Sequence, residues 1–158
     1  MTQRNPPGDI ARRPTVDAKT LWAGGFATAL VAALVAVIGV VVARGVLDIP
    51  VLAPEGSGAF GDASTGGLAL AAGAGALVAT ALIHLLLVST PRPFAFFGWI
   101  VTLFTGLAAV WPFTYDVELD AKVVTAVIYA LIGIAIGTLV SGVARRSVRP
   151  PSDPMRYG

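Results

Sequence analysis

Val123–Ala144 reads VVTAVIYALIGIAIGTLVSGVA and holds no charged residue. An uncharged run of this length matches the ~20 residues that a helix needs to cross ~30 Å of hydrocarbon. Acidic residues precede it (Asp116, Glu118, Asp120) and Arg145, Arg146 and Arg149 follow it. Because Lys and Arg stay on the cytoplasmic side, this asymmetry points the C-terminus inward. Gly133, Gly137 and Ser141 recur every fourth residue, so they share one helix face and let a neighbouring helix come close.

Working outward, the other apolar runs fall into the same mould. Leu21–Ala43 is longer than the ~7–15 apolar residues of a cleavable signal core, so it reads as a retained first span, with Trp22 at headgroup level. Gly66–Thr90 is the second span. It carries two adjacent stripes of small residues, Ala71/Gly75/Ala79 and Ala72/Ala76/Thr80. The brief turn Ser89–Pro93 forces an antiparallel hairpin into the third span, Phe94–Phe113. There Gly98, Thr102 and Gly106 repeat the small spacing, and Pro112 ends the helix. Aromatic residues gather at both ends of that span (Phe94, Phe96, Phe97 and Trp99; Trp111, Phe113 and Tyr115), as interfacial belts do.

The composition agrees. The chain has 158 residues, 56% hydrophobic and 13% charged, with a mean hydropathy of +0.80, whereas soluble domains carry about 25% charge. There is no cysteine, which removes disulfides, Cys-ligated metals and thiol nucleophiles together. Four spans place nine basic residues inside (Arg4, Arg12, Arg13, Lys19, Arg92, Arg145, Arg146, Arg149 and Arg156) and two outside (Arg44 and Lys122), with six of the nine acids outside. The fold expected is therefore all-α, an antiparallel four-helix transmembrane bundle with spans at about 21–43, 66–90, 94–113 and 123–144 and both termini cytoplasmic. Residues 1–20 and 145–158, basic and Pro-containing, read as disordered tails. The loop 44–65 is the longest connection and a leading place to look for function. Within it VLDIPVL is expected to lie extended on the membrane surface, and the loop as a whole to be ordered.

Several segments together resemble a known family: ARGVLDIPVLAPEG (43–56), GDAST (61–65), HLLLVSTPRPFAFFGWIVTL (84–103) and AKVVTAVIYALIGIAIGTLVSGVARR (121–146). They are similar to an uncharacterised actinobacterial family of four-helix integral membrane proteins, the domain of unknown function 6069, over roughly Gly24–Arg146. The resemblance implies four spans in a bacterial plasma membrane. It offers no catalytic or binding residues to carry over.

His84 is the sole histidine and lies inside the second span, where an ionisable group is a functional candidate for proton relay or ligand contact. The plainer reading is a neutral imidazole bonded to a hydroxyl on another helix, Thr138 or Ser141 being at similar depth. A lone His lacks the further ligands of a metal site. The small residues Ala71, Gly75, Ala79, Gly98, Gly106, Gly133, Gly137 and Ser141 are expected in helix packing, within the bundle or between copies. Thr125 and Tyr129 are candidate buried hydrogen-bond donors. The outer acids Asp48, Glu55, Asp62, Asp116, Glu118 and Asp120 match no calcium-loop spacing, and the basic tails suit either a topology signal or anionic lipid.

No Ser–His–acid set, phosphate loop or nucleic-acid signature is present, so no catalytic residue, cofactor, metal or nucleic-acid partner is expected. The partners expected are the lipid bilayer and either a second copy or a larger membrane complex. The functional expectation is a non-catalytic accessory or scaffolding membrane protein, with a small oligomeric carrier or channel passing His84 as the alternative.

Overall fold

The computed structural model describes residues 15–54, 60–62 and 65–149. Four long helices follow one another: α1 (Ala18–Gly45), α2 (Thr65–Ser89), α3 (Pro93–Val110) and α4 (Leu119–Ser147). All four are long and apolar enough to cross a membrane, α3 together with the 3-10 turn Trp111–Thr114 that continues it. The helices outrun the expected spans at most ends, since caps and charged residues prolong them beyond the apolar runs. Asp17, for example, caps α1 by accepting the Thr20 N–H at 3.1 Å, which satisfies one of the helix's unpaired first-turn donors. Pro93 opens α3 within its first two positions, where a missing N–H costs nothing.

Contacts between helices fix the directions. Gly25 meets Thr80 and Gly73 meets the Ala29 carbonyl, so α2 runs antiparallel to α1. Gly24 meets Val143 and Gly39 meets Ile128, so α4 is also antiparallel to α1. Gly133 meets Thr105 and Gly137 meets Val101, which sets α3 antiparallel to α4. The packing is uneven. α1 packs most extensively on α2 and α4, while α2 packs only lightly on α3, although only a short turn joins them.

In the middle of α1 and α2 the division of side chains follows size rather than polarity, while α4 turns isoleucines inward. Inward-facing positions are Gly25, Thr28, Ala32 and Ala36 on α1, Ala72, Ala76 and Ala79 on α2, and Thr125, Ile128, Ile132 and Ile136 on α4. Bulky residues such as Phe26, Leu30, Leu34, Leu70, Leu103 and Phe104 face outward. In lipid no hydrophobic drive separates the two sets, and small inward residues gain close backbone contact instead. Two of the inward hydroxyls bond within their own helices. Thr28 donates to the Gly24 carbonyl (2.9 Å) and Thr80 to that of Ala76 (2.8 Å), as groups away from water must. α3 is the exception to this order, with Phe97 its one buried residue.

Two expectations are corrected at the ends of the bundle. Residues 15–20 and 145–149 were expected in disordered tails. Instead α1 begins at Ala18, α4 runs to Ser147, and β1 (Thr15–Val16) pairs antiparallel with β4 (Val148–Arg149). The Asp17 N–H adds a bond to the Ser147 carbonyl at 2.9 Å. The backbone groups that leave the two helices are thus paired with each other, an accounting that a sequence-pattern reading of tails does not include. The remaining tail residues lie outside the described residues.

The second correction concerns VLDIPVL. After α1 the chain turns at Asp48, the sole non-glycine residue with positive φ (54°) among those described. Asp tolerates this left-handed conformation better than most side chains. The Ile49 N–H then bonds back to the Ala43 carbonyl at 2.9 Å. This reversal buries Val51 and Leu52 in the bundle, while Val46, Leu47 and Pro50 stay exposed, so it is the end of the segment that departs from the expected surface position. Leu52–Pro54 (β2) pairs with Phe60–Asp62 (β3) in a short hairpin, so the described part of the loop is ordered.

Candidate functional site

Three features combine polar chemistry with geometry. The first is His84. Its Nδ1 accepts the indole N–H of Trp22 at 3.1 Å, across the α1–α2 interface. The rings meet edge to face at 6.5 Å between centroids. An indole can only donate, so this bond uses the neutral imidazole with its proton on Nε2. The expected hydroxyl partners are therefore replaced. Thr138 donates to its own helix, to the Ile134 carbonyl at 2.7 Å. A threonine on a helix reaches its own i−4 carbonyl with no chain movement, which is why it outcompetes a partner on another helix. Trp22, assigned from the sequence to the headgroup level alone, is the partner that was missed. Both residues lie near the ends of their spans, but no spacing in the sequence pairs them.

The second feature is a clamp on the loop. Thr125 and Tyr129, one turn apart on α4, hold both hydrogen-bonding groups of a single residue. The Leu52 N–H donates to Thr125 Oγ1 at 3.1 Å, and the Tyr129 hydroxyl donates to the Leu52 carbonyl at 2.9 Å. Tyr129 acts as a donor, as expected, whereas Thr125 is the acceptor in its bond to the strap.

The third feature is a pair of lateral grooves flanking the α3–α4 contact. The larger, about 850 Å³, separates α2 from α3 and is floored by α4. Ala71, Gly75 and Ala79 line one wall, Phe104 and Trp111 the other, and Tyr129 the floor. The smaller, about 300 Å³, lies between α3 and α4 and includes Gly98, Thr102, Gly137, Thr138 and Ser141. Gly133, Val101 and Thr105 border both grooves, being the contact that divides them.

The small residues singled out in the sequence thus serve different ends. Gly133 and Gly137 admit the side chains of Thr105 and Val101. Ala79 is buried, while Ala71 and Gly75 stay exposed on the wall of the larger groove. Gly98 and Gly106 have open space where a Cβ would stand. Gly24, Gly25 and Gly39 on α1, not singled out beforehand, make close contacts with Val143, Thr80 and Ile128. Their spacing is irregular, and no repeat of four marks them.

No group of three or more His, Asp or Glu gathers to hold a metal among the described residues. Glu55 lies outside them. Arg145 lies at the terminal end of α4 with its guanidinium 4.9 Å from the Phe94 ring centre.

No curated protein and no solved structure matches this chain. A family model, described as a family of unknown function, DUF6069, matches residues 16–147. That match covers all four apolar helices, the buried Val51–Leu52 strap and the Trp22–His84 pair, and the chain is a member of family DUF6069.

Proposed function

We propose that this protein is a non-catalytic accessory or scaffolding component of an actinobacterial plasma membrane, with both termini cytoplasmic, that receives a partner helix or a second copy in the groove between α2 and α3. The observation that carries the reading is the state of α3. It contributes one buried residue, Phe97, and stands apart from α2 across a groove of about 850 Å³. A membrane helix that meets its neighbours so little leaves van der Waals contact unmade, and small residues on the opposite wall allow close approach by another helix. The excess of basic residues on the side of both tails and the Ser89–Pro93 turn supports the orientation.

The alternative, an oligomeric carrier or channel passing His84, has less support. Nδ1 of His84 is engaged by Trp22, and neither groove is lined by His84.

Absence of native cysteine makes the test direct. Gly75→Cys and Phe104→Cys, introduced singly, are oxidised or treated with a short bifunctional maleimide in native membranes. Specific adducts at both positions, and none at Leu30→Cys on the exposed face of α1, are expected. A lone monomer with no adduct at either groove position contradicts the proposal.

A further inference from the structure

A cation stands one helical turn beyond the end of the smaller groove. On α4, Gly133, Gly137, Ser141 and Arg145 form one row at four-residue spacing, and the first three line the cavity. On α3, Phe97, Gly98, Val101 and Thr105 line it, and Phe94 stands one turn beyond Phe97. Arg145 lies over the Phe94 ring at 4.9 Å, and the two residues stand one turn beyond the lining residues Ser141 and Phe97. A helical side chain leans toward the turn N-terminal to its own Cα, which brings the Arg145 stem over Ser141. A guanidinium held near a ring by its charge keeps N–H donors for a further acceptor. Among the described residues no carboxylate pairs with it, and Arg92 and Arg146 are exposed at the same end.

From this arrangement we infer that the α3–α4 groove binds one anionic phospholipid of the leaflet on the side of the termini, its phosphate on Arg145 and one acyl chain in the groove. Gly133 to Ser141 covers about 12 Å of helix, close to the ~15 Å depth of one leaflet. An acyl chain runs along the helices over that depth, and at about 300 Å³ this groove is much the smaller of the two. A single hydrocarbon chain is the occupant assigned to it. Charge complementarity at the mouth selects an anionic headgroup, because guanidinium pairs with phosphate oxygens through parallel hydrogen bonds. The polar atoms of Thr102, Thr138 and Ser141 do not oppose an apolar chain, since Thr138 already donates to the Ile134 and Ala135 carbonyls. The inference goes beyond the scaffolding role and concerns a different groove, so either can fail alone.

The test is native mass spectrometry of the full chain in detergent, titrated separately with dioleoylphosphatidylglycerol and dioleoylphosphatidylcholine. One phosphatidylglycerol is expected to bind with a Kd about tenfold or more below that of phosphatidylcholine, the worth of a charged hydrogen-bonded contact. Arg145→Gln removes this preference, while Arg146→Gln, with the same change in net charge, retains most of it. Gly98→Leu keeps every charge, meets no atom within 4 Å at its Cβ, and weakens phosphatidylglycerol binding by filling the groove. Thr102→Leu, exposed on the same wall, supplies the plug if Gly98→Leu does not fold. Equal losses in Arg145→Gln and Arg146→Gln overturn the inference in favour of unspecific attraction. So do unaltered binding in the plugged variant, or a dimer lost on plugging with lipid binding unchanged.

Discussion

Thr125→Val is the substitution that most sharply tests how the loop is held. Valine keeps the shape of threonine but replaces the hydroxyl that accepts the Leu52 N–H at 3.1 Å. Thr125 is 0% exposed and Leu52 is 7% exposed, so the orphaned amide has poor access to water. Leaving such a donor unpaired costs about 1–3 kcal/mol. Burial of the Val51 and Leu52 side chains opposes release by roughly 1.5–3 kcal/mol each, as an upper estimate. Burial therefore outweighs the lost bond, and the strap loosens without leaving the bundle. Hydrogen exchange of segment 46–54 in lipid nanodiscs reads this local opening. The Leu52 amide is expected to exchange about 5–150-fold faster in Thr125→Val, the factor equivalent to that cost. Tyr129→Phe removes the 2.9 Å bond to the Leu52 carbonyl and costs less, about 0.5–1.5 kcal/mol. Both side chains hold one residue, so the double variant falls short of the sum, with a coupling of about 0.5 kcal/mol or more. Unchanged exchange in Thr125→Val, or strict additivity in the pair, refutes the clamp.

Gly24→Leu drives a side chain into Val143, whereas Gly106→Leu enters open space. Overpacking costs about 1–3 kcal/mol, so unfolding in mixed micelles shifts for the first and stays near the parent for the second. Trp22→Phe and His84→Leu each remove one hydrogen bond at 3.1 Å and lower stability by about 0.5–1.5 kcal/mol. The double variant loses little more than either single one, while His84→Gln, which retains an acceptor, recovers part of the loss, all in the same unfolding assay. Asp17→Ala removes the side chain that accepts the Thr20 N–H and lowers stability by about 1 kcal/mol, with faster exchange at the start of α1.

The four crossings were legible because lipid imposes a length and a lack of charge that Val123–Ala144 displays on its face. Which face of each helix turns inward was not. Apolar residues surround α1, α2 and α4 alike, so periodicity in hydrophobicity carries little information, and only in the middle of α1 and α2 does size sort the faces. Small-residue spacing found Gly133 and Gly137, yet the same spacing at Gly98 and Gly106 leads to a groove and to open space. Spacing reports where a close approach is allowed, and the partner helix decides where it happens. The Trp22–His84 bond and the grip of Thr125 and Tyr129 on Leu52 join residues 62, 73 and 77 positions apart. One sequence offers no pattern that links such pairs. The pairing of β1 with β4 was hidden for a different reason: the two-residue strands are polar or mixed, and only the convergence of two helix ends brings them together.

Four crossings put both tails and the Ser89–Pro93 turn on one side of the membrane, and the loops near Ser57 and Asp116 on the other. Single cysteines at Gly8, Ser57, Thr90, Asp116 and Ser152, in a chain that has none of its own, are exposed to a membrane-impermeant maleimide in intact cells and after permeabilisation. Labelling of positions 57 and 116 in intact cells, with 8, 90 and 152 reacting only after permeabilisation, is the predicted result. Reaction of position 90 or of either tail from outside, or opposite behaviour of 57 and 116, contradicts it.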